Sequence, residues 1–370
     1  MTNKIIILTR TYFKDEQILI KNLCNTLNVF VNRDKYKFGI ILDDETTEDH
    51  TLGDKLLNSR IADYIYYEPL DCDYKNLFQS LAFKGMSWGY DRQQWSTFYM
   101  DTYVEEDIIG VVDSDSTFTS YLTDEIVFAK NGKIKIKGIK PLSTFKHWSI
   151  ESSDYVFKNG SQYENDEVAL KFSTEFGVME SNLMPIFFYK ESFKKCRDYI
   201  SEIWGMSFDE AYKVFSRNPY CQFNILANYV LKFESDRYEF VDLFSNTLGK
   251  TVVAQNGCPT SRDTLCGLVK TFKISEDYIT NNTIIIQTSK ISSFGDVDKN
   301  NNYETIYNDT RHANNFAHFC NHPCKLEEIE EHYKNVYRDI DSLTENNKNK
   351  LTNKVIHFLK NDFNNLLIKG

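Results

Sequence analysis

Residues 108–115 have the sequence Ile-Ile-Gly-Val-Val-Asp-Ser-Asp, an apolar run that ends in two carboxylates separated by one serine. Such a run predicts a buried strand over Ile108–Val112 that leads into a polar loop. Carboxylates at the end of a buried strand are costly unless a positive charge lies beside them. Because alternate residues of a strand share a face, Asp113 and Asp115 could bind one hard divalent cation. The pattern therefore predicts a site for a hard divalent cation, and a solvated loop is the alternative.

Three further apolar runs precede this one, at Lys4–Leu8, Phe38–Leu42 and Ile61–Tyr67. Segments with helical spacing lie between them, at Asp15–Phe30 and Asp91–Tyr103. Strands and helices that alternate in this way predict an α/β fold with a mostly parallel sheet. Ligands of such open sheets bind at the carboxyl ends of the strands, so the residues that follow the runs are candidate binding residues.

The second half of the chain has a different pattern. Glu125–Ile139 alternates around Asn131-Gly132, which predicts a β-hairpin. Phe193–Phe215 and Phe223–Phe233 have helical spacing, and Thr283–Gln287 is typical of a short strand. We therefore expect further helices and strands to follow the parallel sheet.

Charge and composition exclude several classes of protein. The 43 Lys and Arg residues against 53 Asp and Glu residues give a net charge of −10, which argues against a nucleic-acid binder. No apolar stretch of about 18 residues is present, so we expect no transmembrane segment. With no signal-peptide pattern, the eight cysteines are expected to be reduced thiols of a cytoplasmic protein.

A family resemblance emerges from three motifs taken together. Residues 40–49, Ile-Ile-Leu-Asp-Asp-Glu-Thr-Thr-Glu-Asp, resemble the Val-Val-Asp-Asp-Gly-Ser-Thr-Asp segment of the GT-A glycosyltransferases. Asp113-Ser114-Asp115 resembles their later Asp-x-Asp motif, and residues 89–95 resemble a Gly-Tyr/Trp-x-x-Gln-Gln stretch found between the two. The resemblance covers about residues 4–235. Glu45 departs from it, because the family usually has glycine there.

The resemblance implies a GT-A, Rossmann-like fold: a mixed, mostly parallel sheet flanked by helices, with a helical C-terminal extension. It implies a catalytic domain over residues 1–325, whose nucleotide-binding half is about 1–120 and whose acceptor half is about 121–325. The polar helical pattern of residues 326–370 is expected to form the extension. The implied reaction transfers a sugar from a UDP- or GDP-sugar to a hydroxyl of a glycan or protein-linked glycan, with Mn²⁺ or Mg²⁺ as cofactor.

The resemblance also implies roles for individual residues. Because residues i and i+2 do not share a helix face, we expect only one of Arg92 and Gln94 to face the nucleotide and the other to lie at the surface. The residues implied to bind the nucleotide-sugar are Thr9, Arg10, Asp43, Asp44, Arg92, Gln94, Asp113 and Lys325. The metal ligands would be Asp113, Asp115 and His318.

His318 and Lys325 belong to a segment, residues 318–325, that resembles the late His-Tyr-x-Gly-x-x-Lys segment of glycogenin-like GT-A enzymes. There the histidine is a metal ligand and the lysine contacts the diphosphate. Cys320 and Cys324 offer a structural zinc site as an alternative, although the spacing is too tight for a usual zinc finger. A surface loop is the remaining possibility.

The catalytic base is harder to assign. The position that corresponds to the catalytic carboxylate of inverting relatives is Gln222, and an amide cannot act as a base. Some retaining GT-A enzymes have an amide near the anomeric carbon, so Gln222 favours retention. Asp236 and Glu180 are possible substitutes, and Gln222 could instead be a helix-start residue with no catalytic part.

Other classes of protein fit the motifs less well. Residues 111–117, Val-Val-Asp-Ser-Asp-Ser-Thr, also fit the nucleophile motif of haloacid-dehalogenase-like phosphatases, which requires that strand to come early in the chain. A sugar nucleotidyltransferase would need a glycine-rich loop after the first strand, and residues 8–12 contain no glycine. A non-catalytic nucleotide-sugar or glycan binder with the same fold is a further alternative.

Overall fold

A computed structural model describes the chain in separate ranges and divides it into two compact units. The first unit comprises residues 1–15, 34–112 and 129–248, and the second comprises 16–33, 113–128 and 249–370. The described residues are 4–69, 78, 88–118, 122–138, 153, 155–157, 185–217, 220–242, 253–256, 283–287, 345, 349 and 353. Most of the extension predicted for residues 326–370 therefore lies outside them, and the domain boundary at 325 stays a prediction.

The first unit is built on a five-stranded sheet, whose strands are β1 (Ile5–Thr11), β2 (Tyr36–Asp43), β3 (Tyr64–Glu68), β4 (Ile108–Val111) and β7 (Ile186–Tyr189). Their order across the sheet is β3-β2-β1-β4-β7. Four strands are parallel and β7, at one edge, is antiparallel to β4. A mixed, mostly parallel sheet is what the sequence predicts. All seven residues of β1 are buried, as expected for a central strand of a parallel sheet covered on both faces.

Helices cover this sheet. Those of the first unit are α3 (Thr47–Asn58), α4 (Trp88–Phe98), α6 (Lys190–Trp204), α7 (Phe208–Phe215) and α8 (Gln222–Phe233). A parallel pair, β6 (Ile134–Gly138) and β8 (Tyr238–Asp242), completes the described part of the unit. No helix within the described ranges is long and apolar enough to cross a bilayer.

Side-chain hydrogen bonds fix how the helices pack. Asp209 on α7 accepts hydrogen bonds from the indole of Trp95 on α4 and from the hydroxyl of Tyr99, each at 2.8 Å. Arg197 on α6 donates to both carboxylate oxygens of Asp101 at 2.6 and 3.0 Å, in a buried pair. These charge-assisted bonds hold α4 against α7, and the turn that follows α4 against α6.

The second unit contains residues 16–30 of the segment predicted as one helix over Asp15–Phe30. It begins with a helical turn, α1 (Glu16–Ile18), continues as a π-helix over Leu19–Cys24 and ends in α2 (Asn25–Phe30). Of the apolar stripe that the spacing predicts, Leu19, Leu23, Leu27 and Phe30 are buried, whereas Ile18 is half-buried. The remaining elements are β5 (Ser116–Phe118), α5 (Asp124–Val127), β9 (Val253–Asn256) and β10 (Thr283–Gln287), and the three strands form a sheet in the order β5-β10-β9.

Two predictions of local structure are wrong. The described residues 125–138 do not form the predicted hairpin: the helix of residues 124–127 takes up the first part, and β6 pairs in parallel with β8. Residues 193–215 form two helices, because α6 ends at Gly205, whose φ of 63° suits the left-handed conformation that glycine adopts at helix ends. A new helix then starts at Ser207 with a capping box to Glu210.

A glycine sets how closely β4 and β7 pack. Gly110 on β4 is paired with Phe187 on β7. A Cβ at position 110 would lie 2.4, 2.8 and 3.0 Å from three ring atoms of Phe187. Real Cβ atoms do not approach so closely, and Phe187 is only 2% exposed, so its ring has little room to move.

We therefore expect Gly110→Ala to destabilise the protein by about 1–3 kcal/mol, the usual cost of overpacking a close-packed core. Urea unfolding would measure the loss. Removing the ring should relieve the clash, so Gly110→Ala should cost less in a Phe187→Leu background than in the wild type. Equal costs in the two backgrounds would contradict this steric account.

Candidate functional site

Charged side chains follow three neighbouring strands of the main sheet at their carboxyl ends. Arg10 lies near the end of β1, Asp43 ends β2 and Glu68 ends β3. Arg10 pairs with Asp43 and lies 3.4 Å from Glu68, so the three strand ends meet. The sequence predicts Arg10 and Asp43 as binding residues, and the structure brings them into contact.

Glu68 is the centre of this cluster and is only 2% exposed. Its Oε2 accepts a hydrogen bond from Nε of Arg92 at 3.0 Å, and its Oε1 accepts from the hydroxyls of Ser96 and Tyr103. Its backbone carbonyl accepts from Nη2 of Arg92 at 2.6 Å and from the backbone N–H of Asp44 at 3.2 Å. One glutamate thus joins β3 to β1, to α4 and to the end of β2.

Arg92 is almost fully buried, at 1% exposure, and it pairs with Glu45 and lies 3.4 Å from Asp43 in addition to its bonds with Glu68. The cluster therefore contains two guanidinium groups and three carboxylates. Burial raises the pKa of Asp43, and the positive charges of Arg10 and Arg92 oppose that rise. Both cations are neutralised within the protein, so the cluster suits a neutral part of a ligand better than a phosphate.

Two other predicted binding residues are buried beside these elements. Thr9 on β1 is 0% exposed and Gln94 on α4 is 2% exposed. The expectation that one of Arg92 and Gln94 lies at the surface is wrong, because α4 is covered on several sides. Thr9 Oγ1 and Gln94 Oε1 have no hydrogen-bond partner within the described part of the chain. The threonine hydroxyl could donate or accept a hydrogen bond with a ligand or water, and the amide oxygen of Gln94 could accept one.

A second buried group lies one residue before Arg92. Asp91 Oδ1 accepts hydrogen bonds from the hydroxyls of Tyr212 at 2.8 Å and Tyr220 at 2.7 Å, and these two hydroxyls contact each other. Asp91 Oδ2 is buried and has no partner among the described residues. Burial raises the pKa of Asp91 to about 6, although the two tyrosine hydrogen bonds act to lower it.

Asp44, the second acid of the Asp-Asp pair, has different surroundings. Its side chain is 37% exposed, and its Oδ1 lies 2.7 Å from Nε2 of His50 on α3. His50 stacks on Tyr67 of β3. Asp44 therefore remains open to solvent, whereas Asp43 is held between two guanidinium groups.

The predicted metal ligands Asp113 and Asp115 belong to the second unit, where they lie in a turn closed by a hydrogen bond from the N–H of Ser116 to the carbonyl of Asp113. The argument from strand alternation therefore does not apply to them. Asp115 is 6% exposed and Asp113 is partly buried. Their carboxylates fit Mn²⁺ or Mg²⁺, which prefer oxygen ligands. Within the described ranges no group of three His, Cys, Asp or Glu side chains could hold a metal ion.

Only two of the other predicted site residues lie within the described part of the chain. Gln222 is the first residue of α8 and is 7% exposed, and Asp236 lies in an exposed turn before β8. Glu180, His318 and Lys325 lie outside the described residues, together with Cys320 and Cys324. Their predicted roles stay predictions.

Three residues of the site were missed by sequence reasoning. Glu68 directly follows an apolar run, and the rule that identified Asp43 and Asp113 would have identified it too. Tyr212 and Tyr220 had no comparable signal, because their partner Asp91 is distant in the sequence.

Comparisons with known proteins identify no family and find only distantly similar solved structures among those named below. No family model matches the chain, and no curated protein sequence matches it. Similar solved structures include the glycosyltransferase GlyE of Streptococcus pneumoniae TIGR4, at 11% identity and a TM-score of 0.41, over 84% of this chain and 60% of that one. The chain thus spans less than two thirds of the length of GlyE.

Two further structures are distant in the same way. Mouse xyloside xylosyltransferase 1, in its apo form, matches at 10% identity and a TM-score of 0.40, over 78% of this chain and 99% of that one. Core-mannan synthase A from Aspergillus fumigatus, in a Mn/GDP form, matches at 10% identity and a TM-score of 0.38, over 65% of this chain and 73% of that one. At these identities and TM-scores the likeness assigns no activity to this chain.

Removing the central carboxylate should have a large effect on stability. Glu68→Ala would leave two buried guanidinium groups with too few acceptors, so we expect a loss of about 3–5 kcal/mol in the free energy of unfolding, measured by urea titration. Glu191→Ala is the matched control, because Glu191 also pairs with an arginine, Arg237, but its side chain is 59% exposed. That change should cost less than about 1 kcal/mol. Similar losses for both would show that the cluster is not a buried ionic centre.

Asp91 should make stability depend on pH. Its raised pKa means that its stabilising contribution is fully present below the ordinary value of 3.8 and is lost as the pH rises through about 6. We therefore expect the stability of the wild type relative to Asp91→Asn to fall between pH 4 and pH 7, by on the order of 2–3 kcal/mol. Urea titrations of both proteins across this range would measure it. Parallel pH profiles would rule out a buried, titrating Asp91.

Proposed function

We propose that this chain is a metal-dependent glycosyltransferase, which moves a sugar from a nucleotide diphosphate donor to a hydroxyl of a glycan or protein-linked glycan. The observation that supports this most is the meeting of Arg10, Asp43 and Glu68 at the carboxyl ends of β1, β2 and β3. Open α/β sheets bind nucleotides at that edge. The sequence motifs at residues 40–49 and 113–115 support the same assignment.

The charge of the cluster suggests how the donor would be divided among the binding residues. Because carboxylates neutralise Arg10 and Arg92, the cluster would contact the uncharged ribose, with Thr9 and Gln94 adding polar atoms. The diphosphate needs positive charge from elsewhere. A Mn²⁺ or Mg²⁺ ion held by Asp113 and Asp115 would supply it and would make the diphosphate a better leaving group. His318 and Lys325 are proposed as a further ligand and a diphosphate contact.

The chemistry at the acceptor is proposed from Gln222. This side chain begins α8 and is mostly buried, so its amide would be held in place. An amide cannot remove a proton from the acceptor hydroxyl, but it can donate and accept hydrogen bonds near the anomeric carbon. We therefore propose that the enzyme retains the anomeric configuration.

The metal assignment can be tested through ligand binding. We expect UDP or GDP to raise the melting temperature of the wild type in the presence of Mn²⁺ and to have little effect in EDTA, since a ligand of the folded state stabilises it by mass action. Asp115→Ala should abolish the Mn²⁺-dependent shift and also the hydrolysis of donor sugars.

Glu125→Ala is the matched control for this test, because Glu125 is an exposed carboxylate in the same unit. It should keep both the shift and the hydrolysis. Stabilisation by nucleotide in EDTA that persists in Asp115→Ala would contradict the metal role. A response to beryllium fluoride or vanadate, without a response to nucleotides, would indicate a phosphatase instead.

A further inference from the structure

An exposed imidazole lies beside the carboxylate that follows β2. His50 is in the first part of α3, and its side chain is 51% exposed. Its Nε2 lies 2.7 Å from Oδ1 of Asp44, so the edge of the imidazole ring is fixed against one carboxylate oxygen. Among the described contacts of Asp44, the side chain makes no other hydrogen bond, and its Oδ2 remains for another partner.

Tyr67 supports the imidazole from one side. The two ring centroids are 4.2 Å apart and the planes differ by 25°, which is a stacked arrangement. Gly53 on α3 leaves room for the hydroxyl of Tyr67 to approach the helix backbone, because a Cβ at position 53 would lie 2.2 Å from the tyrosine oxygen. Tyr67 thus covers one face of His50, and the exposure of His50 is on the rest of its ring.

The start of α3 is held in place by its own hydrogen bonds. Asp49 is 1% exposed, and its Oδ2 accepts a hydrogen bond from the hydroxyl of Thr46 at 2.8 Å. Its Oδ1 accepts the backbone N–H of Phe13, just after β1, at 2.9 Å. The helix turn that presents His50 is therefore tied to the end of β1, and the imidazole has a fixed support.

A flat ring supported on one face and open on the other can stack on an aromatic ligand. Stacking of a nucleic-acid base on an aromatic side chain contributes about 1–3 kcal/mol. His50 and Asp44 lie at the same carboxyl edge of the sheet as Arg10 and Asp43, where the donor is proposed to bind. A base stacked on His50 would bring its polar edge to Asp44.

We propose that His50 and Asp44 form the subsite for the base of the donor and that they select uracil over guanine. This inference rests on the proposed function. Guanine presents two adjacent N–H donors, which suit both oxygens of a free carboxylate. Uracil presents a single N–H, which needs one oxygen, and the imidazole already occupies Oδ1 of Asp44.

The test compares the binding of UDP and GDP by calorimetry in the presence of Mn²⁺. We expect the wild type to bind UDP at least tenfold more tightly than GDP. His50→Ala removes the stacking surface and frees Oδ1 of Asp44, so UDP should bind about 5- to 100-fold more weakly and the preference for UDP should fall. His50→Phe keeps a ring on Tyr67 but frees the carboxylate, so UDP should bind nearly as in the wild type while GDP gains affinity.

Thr51→Ala is the control, because Thr51 is the next exposed residue of α3 and its hydroxyl bonds only to the carbonyl of Thr47 among the described contacts. It should leave both affinities unchanged. Equal binding of UDP and GDP to the wild type, or equal effects of His50→Ala and Thr51→Ala, would overturn the base subsite and leave the proposed function standing. If neither nucleotide binds the wild type, the proposed function fails first and the subsite fails with it.

Discussion

The contact between Glu68 and Arg92 is the interaction on which the site depends. The guanidinium donates to the carboxylate and to the backbone carbonyl of the same residue, so α4 is fixed at the end of β3 in one position. Arg10 then completes the arrangement from β1. Without these cations, the carboxylates of Asp43, Glu45 and Glu68 would repel one another. A buried ionic group of this kind contributes more to position than to net stability, because desolvation offsets much of the attraction.

The same interaction explains why two similar acids at the end of β2 differ in character. Asp43 turns towards the guanidinium groups and is partly withdrawn from solvent, whereas Asp44 turns towards His50 and stays exposed. One acid therefore belongs to the internal frame of the protein and the other to its surface. The two adjacent aspartates thus combine a carboxylate held in the ionic cluster with one that is open to solvent.

Much of the sheet could be predicted from sequence because its strands are apolar runs followed by charged residues. The same local rule would also have found Glu68. A different local argument failed for α4. The expectation that residues i and i+2 point to different surroundings assumes a helix with one buried side, but both Arg92 and Gln94 are buried. The hairpin prediction failed because β6 pairs with β8, which is distant in the sequence and which a local pattern does not reveal. The cluster of Asp91 with Tyr212 and Tyr220 could not be predicted for the same reason, since the two tyrosines are distant from Asp91 in the sequence.

The buried cysteines have a practical consequence for following local opening. Cys196 lies in the first unit and Cys24 in the second, and burial raises the pKa of both thiols well above the usual range. Alkylating reagents react with the thiolate, so neither side chain can be labelled until the surrounding structure opens. The alkylation rate of Cys196 would therefore report local opening of the first unit, and that of Cys24 would report local opening of the second.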